Sequence, residues 1–154
     1  MSIAPIIQTV SVRLPPDRAF ALFVERMGDW WSKGKTIGQN PHRAIVVEPH
    51  AGGRWYEEDD AGNQCDWGRV IAWEPPHRLL LAWHLDASFS FDPAFSTEVL
   101  VSFAPTATGT LVTLEHRQLE RFGPSAERVR GQLSGGWPTR LQDFATFANR
   151  GDDR

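Results

Sequence analysis

The side chains in this sequence that could do chemistry are few and dispersed. The histidines, His42, His50, His77, His84 and His116, form no close i, i+2 or i, i+4 pair, and no Cys/His cluster has zinc spacing. There is no His-Glu-x-x-His, no G-x-S-x-G and no phosphate loop. His116 is the best placed of the set. In the run Leu111 to Arg117, the side chains of Val112, Leu114 and His116 alternate onto one face, as do those of Val99, Val101 and Phe103 in the run before it. If those faces point inward, His116 could hydrogen-bond a ligand or act as a base among apolar neighbours. The commoner arrangement is a strand-end histidine, half solvated or bonded to a backbone carbonyl, because nothing in the sequence places a carboxylate beside it.

Aromatic residues are the second chemical resource. Seven Trp and nine Phe stand against a single Tyr, which suggests either a large core or an internal cavity with aromatic walls. Trp30, Trp31, Trp55, Trp83 and Trp137 are the pocket candidates, since buried indole N–H groups need partners and their rings suit flat apolar ligands; plain core packing is the competing reading. Phe89, Phe91 and Phe95 fall in a connection, where a lid over a cavity mouth or a dimer contact would explain them. Glu57, Asp66, Arg69, His84 and Glu98 sit on strands whose alternation could aim them either way, and on a convex face they are ordinary solvated surface. Arg54 and Arg69 could pair with a ligand carboxylate, although surface salt bridges are the simpler use for them. Cys65, the only cysteine, has no activating neighbour and reads as a buried thiol.

The bulk properties bound the setting. A chain of 154 residues is most simply one domain, assigned here to residues 1–150 with 151–154 as a disordered tail. The formal charge is −3 and Lys/Arg form no stripe, which argues against a nucleic-acid partner. Met1 to Pro5 lacks a basic region and a long apolar run, and no stretch approaches a membrane span. A lone cysteine excludes an internal disulfide and fits a reducing compartment, so the expectation is a soluble cytoplasmic protein without a membrane partner.

The elements that must position these residues follow from pattern and punctuation. Residues 3 to 14 alternate as a half-buried strand, and Pro15-Pro16-Asp17 ends it and opens a helix with an apolar stripe of Phe20, Phe23, Val24 and Met27. Gly28 is a natural stop, and Asp29 to Ser32 reads as a second short helix followed by a polar loop from Lys33 to Pro41. Six strands follow: Arg43 to Glu48, Arg54 to Glu58, Cys65 to Trp73, Arg78 to Asp86, Thr97 to Ala104 and Thr110 to Arg117. The hairpin that turns at Glu74-Pro75-Pro76-His77 is expected at the centre of the sheet. From Ser125 onward, Val129, Leu133, Trp137, Leu141, Phe144 and Ala148 mark one face of a long helix, which Pro138 is expected to kink or split. The result is an α+β fold of order β-α-α-β6-α, with about seven curved antiparallel strands around a C-terminal helix.

That order, with its motifs, resembles the START-like helix-grip (SRPBCC) superfamily, and within it the family related to the C-terminal domain of the activator of the Hsp90 ATPase. The resemblance rests on Pro16 to Phe23, Trp30-Trp31, Gly52-Gly53-Arg54-Trp55, and Gly68-x-Val70 through Glu74-Pro75-Pro76. It continues through Leu79 to Trp83, Thr97 to Phe103, Gly109 to His116, and Gly136-Trp137 followed by Leu141. It does not extend to the activator's separate N-terminal domain. Pro138 departs from the family's uninterrupted helix. The resemblance implies a small stand-alone domain with an apolar cavity and no assigned reaction.

Three functions are compatible with these readings. The first is a domain that encloses a small apolar or aromatic ligand between sheet and helix, with Trp30, Trp31, Trp55, Glu57, Trp83, Val101, Phe103, His116, Trp137 and Leu141 as its site. The second is a cyclase- or hydrolase-like enzyme using the same cavity, with His116 moving protons. The third is a module that binds a chaperone or another protein, and a homodimer is plausible. No cofactor or metal is expected.

Overall fold

A computed structural model describes residues 3–151. Pro15 precedes an α-helix that has Pro16 and Asp17 in its first turn, as the missing N–H of proline and the positive helix end favour. The elements are β1 (Ile6–Val12), α1 (Pro16–Glu25), α2 (Met27–Trp30), β2 (His42–Val47), β3 (Arg54–Asp59), β4 (Gln64–Glu74), β5 (Arg78–Trp83), β6 (Thr97–Pro105), β7 (Thr110–Arg117), a 3-10 turn (Leu119–Ser125) and α3 (Ala126–Gly151). The strands make one antiparallel sheet in the order β1-β7-β6-β5-β4-β3-β2, with β5 in the middle. This is the α+β helix-grip arrangement, with α3 lying against the sheet and α2.

Alternation decides which side chains enter the grip. Val99, Val101 and Phe103 of β6 are buried, as are Val112, Leu114 and His116 of β7, while the residues between them remain partly or fully exposed. From above, α1 contributes Phe20, Phe23 and Val24, and α3 contributes Val129, Leu133, Leu141, Phe144 and Ala148. Phe23 sits at the centre of this packing, its ring 5.0–5.7 Å from those of Trp30, Phe103 and Phe144 in tilted and edge-on contacts. Such pairs add about 0.5–1.5 kcal/mol each beyond the area they bury. Among the described residues, no helix is long and apolar enough to cross a membrane.

Several boundaries differ from those expected. The first helix ends at Glu25 rather than Gly28, and the second begins at Met27, so Gly28 lies inside α2. β5 stops at Trp83 instead of Asp86, because the chain then folds back on itself: Leu85 bridges Phe91, and the Asp92 amide bonds the His84 carbonyl. The 3-10 turn ahead of α3 was not anticipated. Pro138 does not split the last helix, which runs as one element from Ala126 to Gly151. The expected tail at 151–154 is therefore partly helix, since Gly151 closes α3; residues 152–154 lie outside the described residues.

One glycine is fixed by the sheet's geometry. A Cβ on Gly68 of β4 would lie 1.8 Å from the carbonyl oxygen of Ala82 in β5 and 3.4 Å from the Trp55 ring. Gly135 in α3 is the opposite case, exposed and with open space where a Cβ would sit. Gly68→Ala is expected to lower unfolding free energy by about 1–3 kcal/mol through backbone displacement. Gly135→Ala is expected to raise it by about 0.5–1 kcal/mol by removing unfolded-state freedom. Urea unfolding of the two variants beside the parent checks both signs.

Candidate functional site

Four indoles from separate parts of the chain converge on one side of α3. Trp31 follows α2, Trp67 lies in β4, Trp83 ends β5, and Trp137 projects from α3. Together they wall an open cleft of about 260 Å³. The Trp31 ring stands 5.0 Å from Trp67 and 5.9 Å from Trp137 in a perpendicular contact, and Trp83 lies 5.7 Å from Trp137. Lys35, Thr36 and Ile37 come over the cleft from the strap formed by residues 32–41, and Phe89 comes from the loop after β5. Deeper in, the space between helix and sheet is nearly full: the void bounded by Phe23, Trp55, Val101 and Leu114 holds only about 10 Å³. A separate depression of about 600 Å³ lies between α1 and β2, lined by Phe20, Val24, Val47 and Trp73; its charged residues, Asp17 and Glu25, are not buried.

His116 is sealed behind the cleft. Its side chain is fully buried, its Nδ1 accepts the Trp137 indole N–H at 3.0 Å, and its Nε2 lies 2.8 Å from the Thr97 hydroxyl. An indole can only donate, so Nδ1 is bare and the proton resides on Nε2, pointing at Thr97. Burial away from water depresses its pKa to about 3, which keeps the ring neutral. The expected half-solvated strand end is thus replaced by a fixed acceptor.

Glu57 performs the corresponding task on the other side. It is buried, and its carboxylate accepts the Ile37 N–H at 2.8 Å, the Gly38 N–H at 3.1 Å and the Trp67 indole N–H at 2.8 Å. Gly38 permits the approach, since a Cβ there would lie 2.6 Å from Glu57 Oε2. The strap is also tied by Asn40, whose amide donates to Asp59; side-chain bonds from Asn40 and Asn63 hold the Asp59 carboxyl down to about 2. Trp31 completes the fastening by donating to the Lys35 carbonyl at 2.9 Å.

Of the residues expected to form a site, Trp31, Trp83 and Trp137 line the cleft. Trp55 and Val101 border only the small void, and Trp30, Phe103 and Leu141 are packed core residues that line neither. Glu57 and His116 support the walls from behind. Arg54 and Arg69 face Asp66, with Arg54 Nη2 2.6 Å from its carboxylate, and Arg117 pairs with Glu98 at 2.9 Å. Of the loop aromatics, Phe89 lines the cleft, whereas Phe91 packs on His84 and Phe95 on Phe122. Cys65 is half-buried rather than buried, and burial raises its thiol pKa. Among the described residues, no group of three or more His, Cys, Asp or Glu side chains could hold a metal.

Trp67 and Arg140 were missed. Strict alternation puts Trp67 on the face opposite Gly68 and Val70, but the β3–β4 register shifts between Trp55 and Tyr56, and this bulge turns Trp67 inward beside Gly68. Arg140 follows Trp137 by three residues, one helical turn along the same side, and that spacing was the available signal.

Two expectations follow from the supports. Between about pH 6.5 and pH 3 the unfolded chain binds a proton at His116 that the native state refuses, so stability falls as pH drops below about 6.5. Going from pH 7.5 to 5.5 should cost about 1.4 kcal/mol through His116 alone, a loss that His116→Gln removes. Burial shifts His42 in the same direction, and that contribution persists in the variant. Urea unfolding at both pH values reads the difference, and equal losses in the two proteins would refute it. Glu57→Gln places an amide NH₂ where backbone donors point, and is expected to cost about 1–3 kcal/mol. It should also speed hydrogen exchange at the Ile37 and Gly38 amides, which mass spectrometry measures.

The geometry has relatives among known proteins. A family model described as activator of Hsp90 ATPase homolog 1-like protein matches residues 13–149. Txn09, described as an anthrahydroquino-Gama-pyrone synthase and solved in complex with SUM, is 33% identical with a TM-score of 0.67, covering 94% of this chain and 97% of its own. The self-sacrificing resistance protein CalC from Micromonospora echinospora is 28% identical, with a TM-score of 0.68 and 96% of each chain covered. The Aha1 dimer from Colwellia psychrerythraea, 12% identical with a TM-score of 0.67 over 96% of this chain and 97% of its own, shares the fold. No curated protein matches the chain. The match over residues 13–149 and the likeness to Txn09 place the chain in the activator of Hsp90 ATPase homolog 1-like family, on the helix-grip fold.

Proposed function

We propose that this protein binds a small, flat aromatic molecule in the cleft beside α3. The observation that carries the proposal is the convergence of Trp31, Trp67, Trp83 and Trp137 on one open space while the interior behind them is packed. Indole faces bury a planar ring on several sides, and at about 25 cal/mol per Å² the removal of that surface from water supplies the affinity. Walls held by hydrogen bonds need little reordering on binding, which preserves that gain. The cleft lies near the lower end of the usual range of about 300–1,000 Å³, so the bound portion is on the scale of one to three fused rings. Txn09 supports the reading as a ligand-complexed synthase, and CalC as a resistance protein.

The 33% identity to a synthase also raises a catalytic reading. Against His116 as its base stands the position of that residue, closed off by Trp137 and Thr97. A chaperone-binding or dimeric role draws on the family description and on the Colwellia Aha1 dimer, which shares only the fold. The large exposed apolar residues among those described, Ile7, Ile71 and Leu111, lie on separate strands, with Ile71 on β4 away from β1 and β7. Ligand binding is therefore the preferred proposal.

Gly136 supplies the test. It lines the cleft, and a Cβ built there meets nothing within 4 Å, so Gly136→Leu should fill the space without disturbing the core. Titration with 2-naphthamide is expected to quench tryptophan fluorescence saturably in the parent protein. In Gly136→Leu the affinity should fall at least about ten-fold, a loss of about 1.4 kcal/mol, with an unchanged circular dichroism spectrum. Equal quenching in both proteins would exclude this cleft as the binding site.

A further inference from the structure

Arg140 is a buried cation whose terminal nitrogens have no acceptor among the described residues. It is only 8% exposed, yet it lines the cleft, with its guanidinium carbon 5.9 Å from the centre of the Trp31 ring. Its Nε donates to Asp143 Oδ2 at 3.4 Å, and that same carboxylate oxygen is also taken by the Ser32 hydroxyl. Nη1 and Nη2 meet no acceptor among the described residues. Nor are they among the side-chain atoms fully sealed from solvent without a partner, so the guanidinium keeps some access, and the residue that carries it lines the cleft. A guanidinium offers five N–H donors in a planar fork, and burying it with most of them idle is unfavourable unless something else accepts them.

The surroundings point to the sign of that missing group. Among the described residues no Asp or Glu lines the cleft, although the chain as a whole is acidic at −3. The charged residues that do line it are Arg140 and, on the strap, the exposed Lys35, whose ammonium has no partner among the described residues. The buried Glu57 is occupied by three donors behind Ile37 and Trp67. Asp143 offsets part of the Arg140 charge from outside the cleft wall.

We propose that the cleft selects aromatic acids: a flat ring system lies against the indoles while its carboxylate takes the idle fork of Arg140, assisted by Lys35. This rests on the reading of the cleft as an aromatic-binding site and adds the chemical class of its ligand. Arg suits the task because its fork matches both oxygens of a carboxylate, and its flat face stacks beside Trp31 without competing for them.

The experiment compares 2-naphthoate with 2-naphthamide, which share shape and ring system but differ in charge. Isothermal titration calorimetry on the parent protein should show naphthoate binding at least about ten-fold tighter, as charge-assisted hydrogen bonds to a shielded guanidinium require. Arg140→Met keeps the apolar stem and should bring naphthoate to the level of naphthamide while leaving naphthamide unchanged. Arg140→Lys keeps the charge without the fork and should fall between, and Lys35→Met should weaken naphthoate by a smaller factor. Equal affinity of the parent protein for the two compounds would overturn the acid preference and leave the aromatic cleft standing. A preference that survives in a folded Arg140→Met protein would do the same. Binding of neither compound would overturn the cleft reading itself, and this proposal with it.

Discussion

The bond from the Trp137 indole to the His116 imidazole fastens α3 to the sheet, and the shape of everything around it follows. Trp137 must lie over β7 to make that bond, which sets its ring beside Trp83 and perpendicular to Trp31. A buried indole N–H needs an acceptor, and a neutral imidazole is an economical choice because it brings no charge into an apolar layer. Thr97 receives the imidazole's own proton, so the chain indole–imidazole–hydroxyl is ordered from end to end. Such a histidine is chemically quiet, since the depressed pKa that keeps it a good acceptor also keeps it from gaining a proton at any ordinary pH.

The opposite wall is organised by a charge. One oxygen of Glu57 holds both Ile37 of the strap and Trp67 of β4, so two cleft residues from distant parts of the sequence are set by the same atom. Ile37 packs the strap against the core, and the strap is ordered further by this carboxylate, by the Asn40–Asp59 and Trp31–Lys35 bonds, and by the bonds from Ser32 to Asp143 and from Lys33 to the His42 carbonyl. The cleft is thus framed by two supports of different character, an imidazole under α3 and a carboxylate under the strap. Each acts at one remove, by setting the position of an indole in the cleft wall.

Much of the architecture was legible because it depends on periodicity. The alternation of Val99, Val101 and Phe103 against Val112, Leu114 and His116, and the stripe from Val129 to Ala148, each have one satisfactory packing. The site was less legible, for reasons that can be named. Trp67 turns inward only because a bulge breaks the alternation, and a bulge depends on cross-strand pairing that a single run of residues does not encode. Arg140 was passed over because charged residues are usually solvated; it is buried beside Trp31 and shares Asp143 with Ser32, contacts made across a hundred residues of sequence or more. Conversely Trp30, Phe103 and Leu141 looked like pocket walls because the aromatic content suggested an internal cavity, and the core is in fact filled. Pro138 was expected to interrupt α3, yet the helix continues through it.

These placements constrain any chemistry the cleft could support. Proton transfer needs a titratable group with access to the reacting atoms, and His116 lacks that access as long as Trp137 is bonded to it. The polar side chains that line the space carry donors: the Arg140 fork, held at Nε by Asp143, the exposed Lys35 ammonium, the Gln132 amide and the Thr36 hydroxyl. Donors of that kind stabilise negative charge, whether it is already present on a ligand or develops on an oxygen during a reaction. An aromatic-walled space also restrains a flexible chain in a folded conformation, and this lowers the entropic part of a ring-closing barrier without any base. Binding and catalysis would therefore draw on the same features here. What separates them is whether the ligand arrives with its negative charge or acquires it inside.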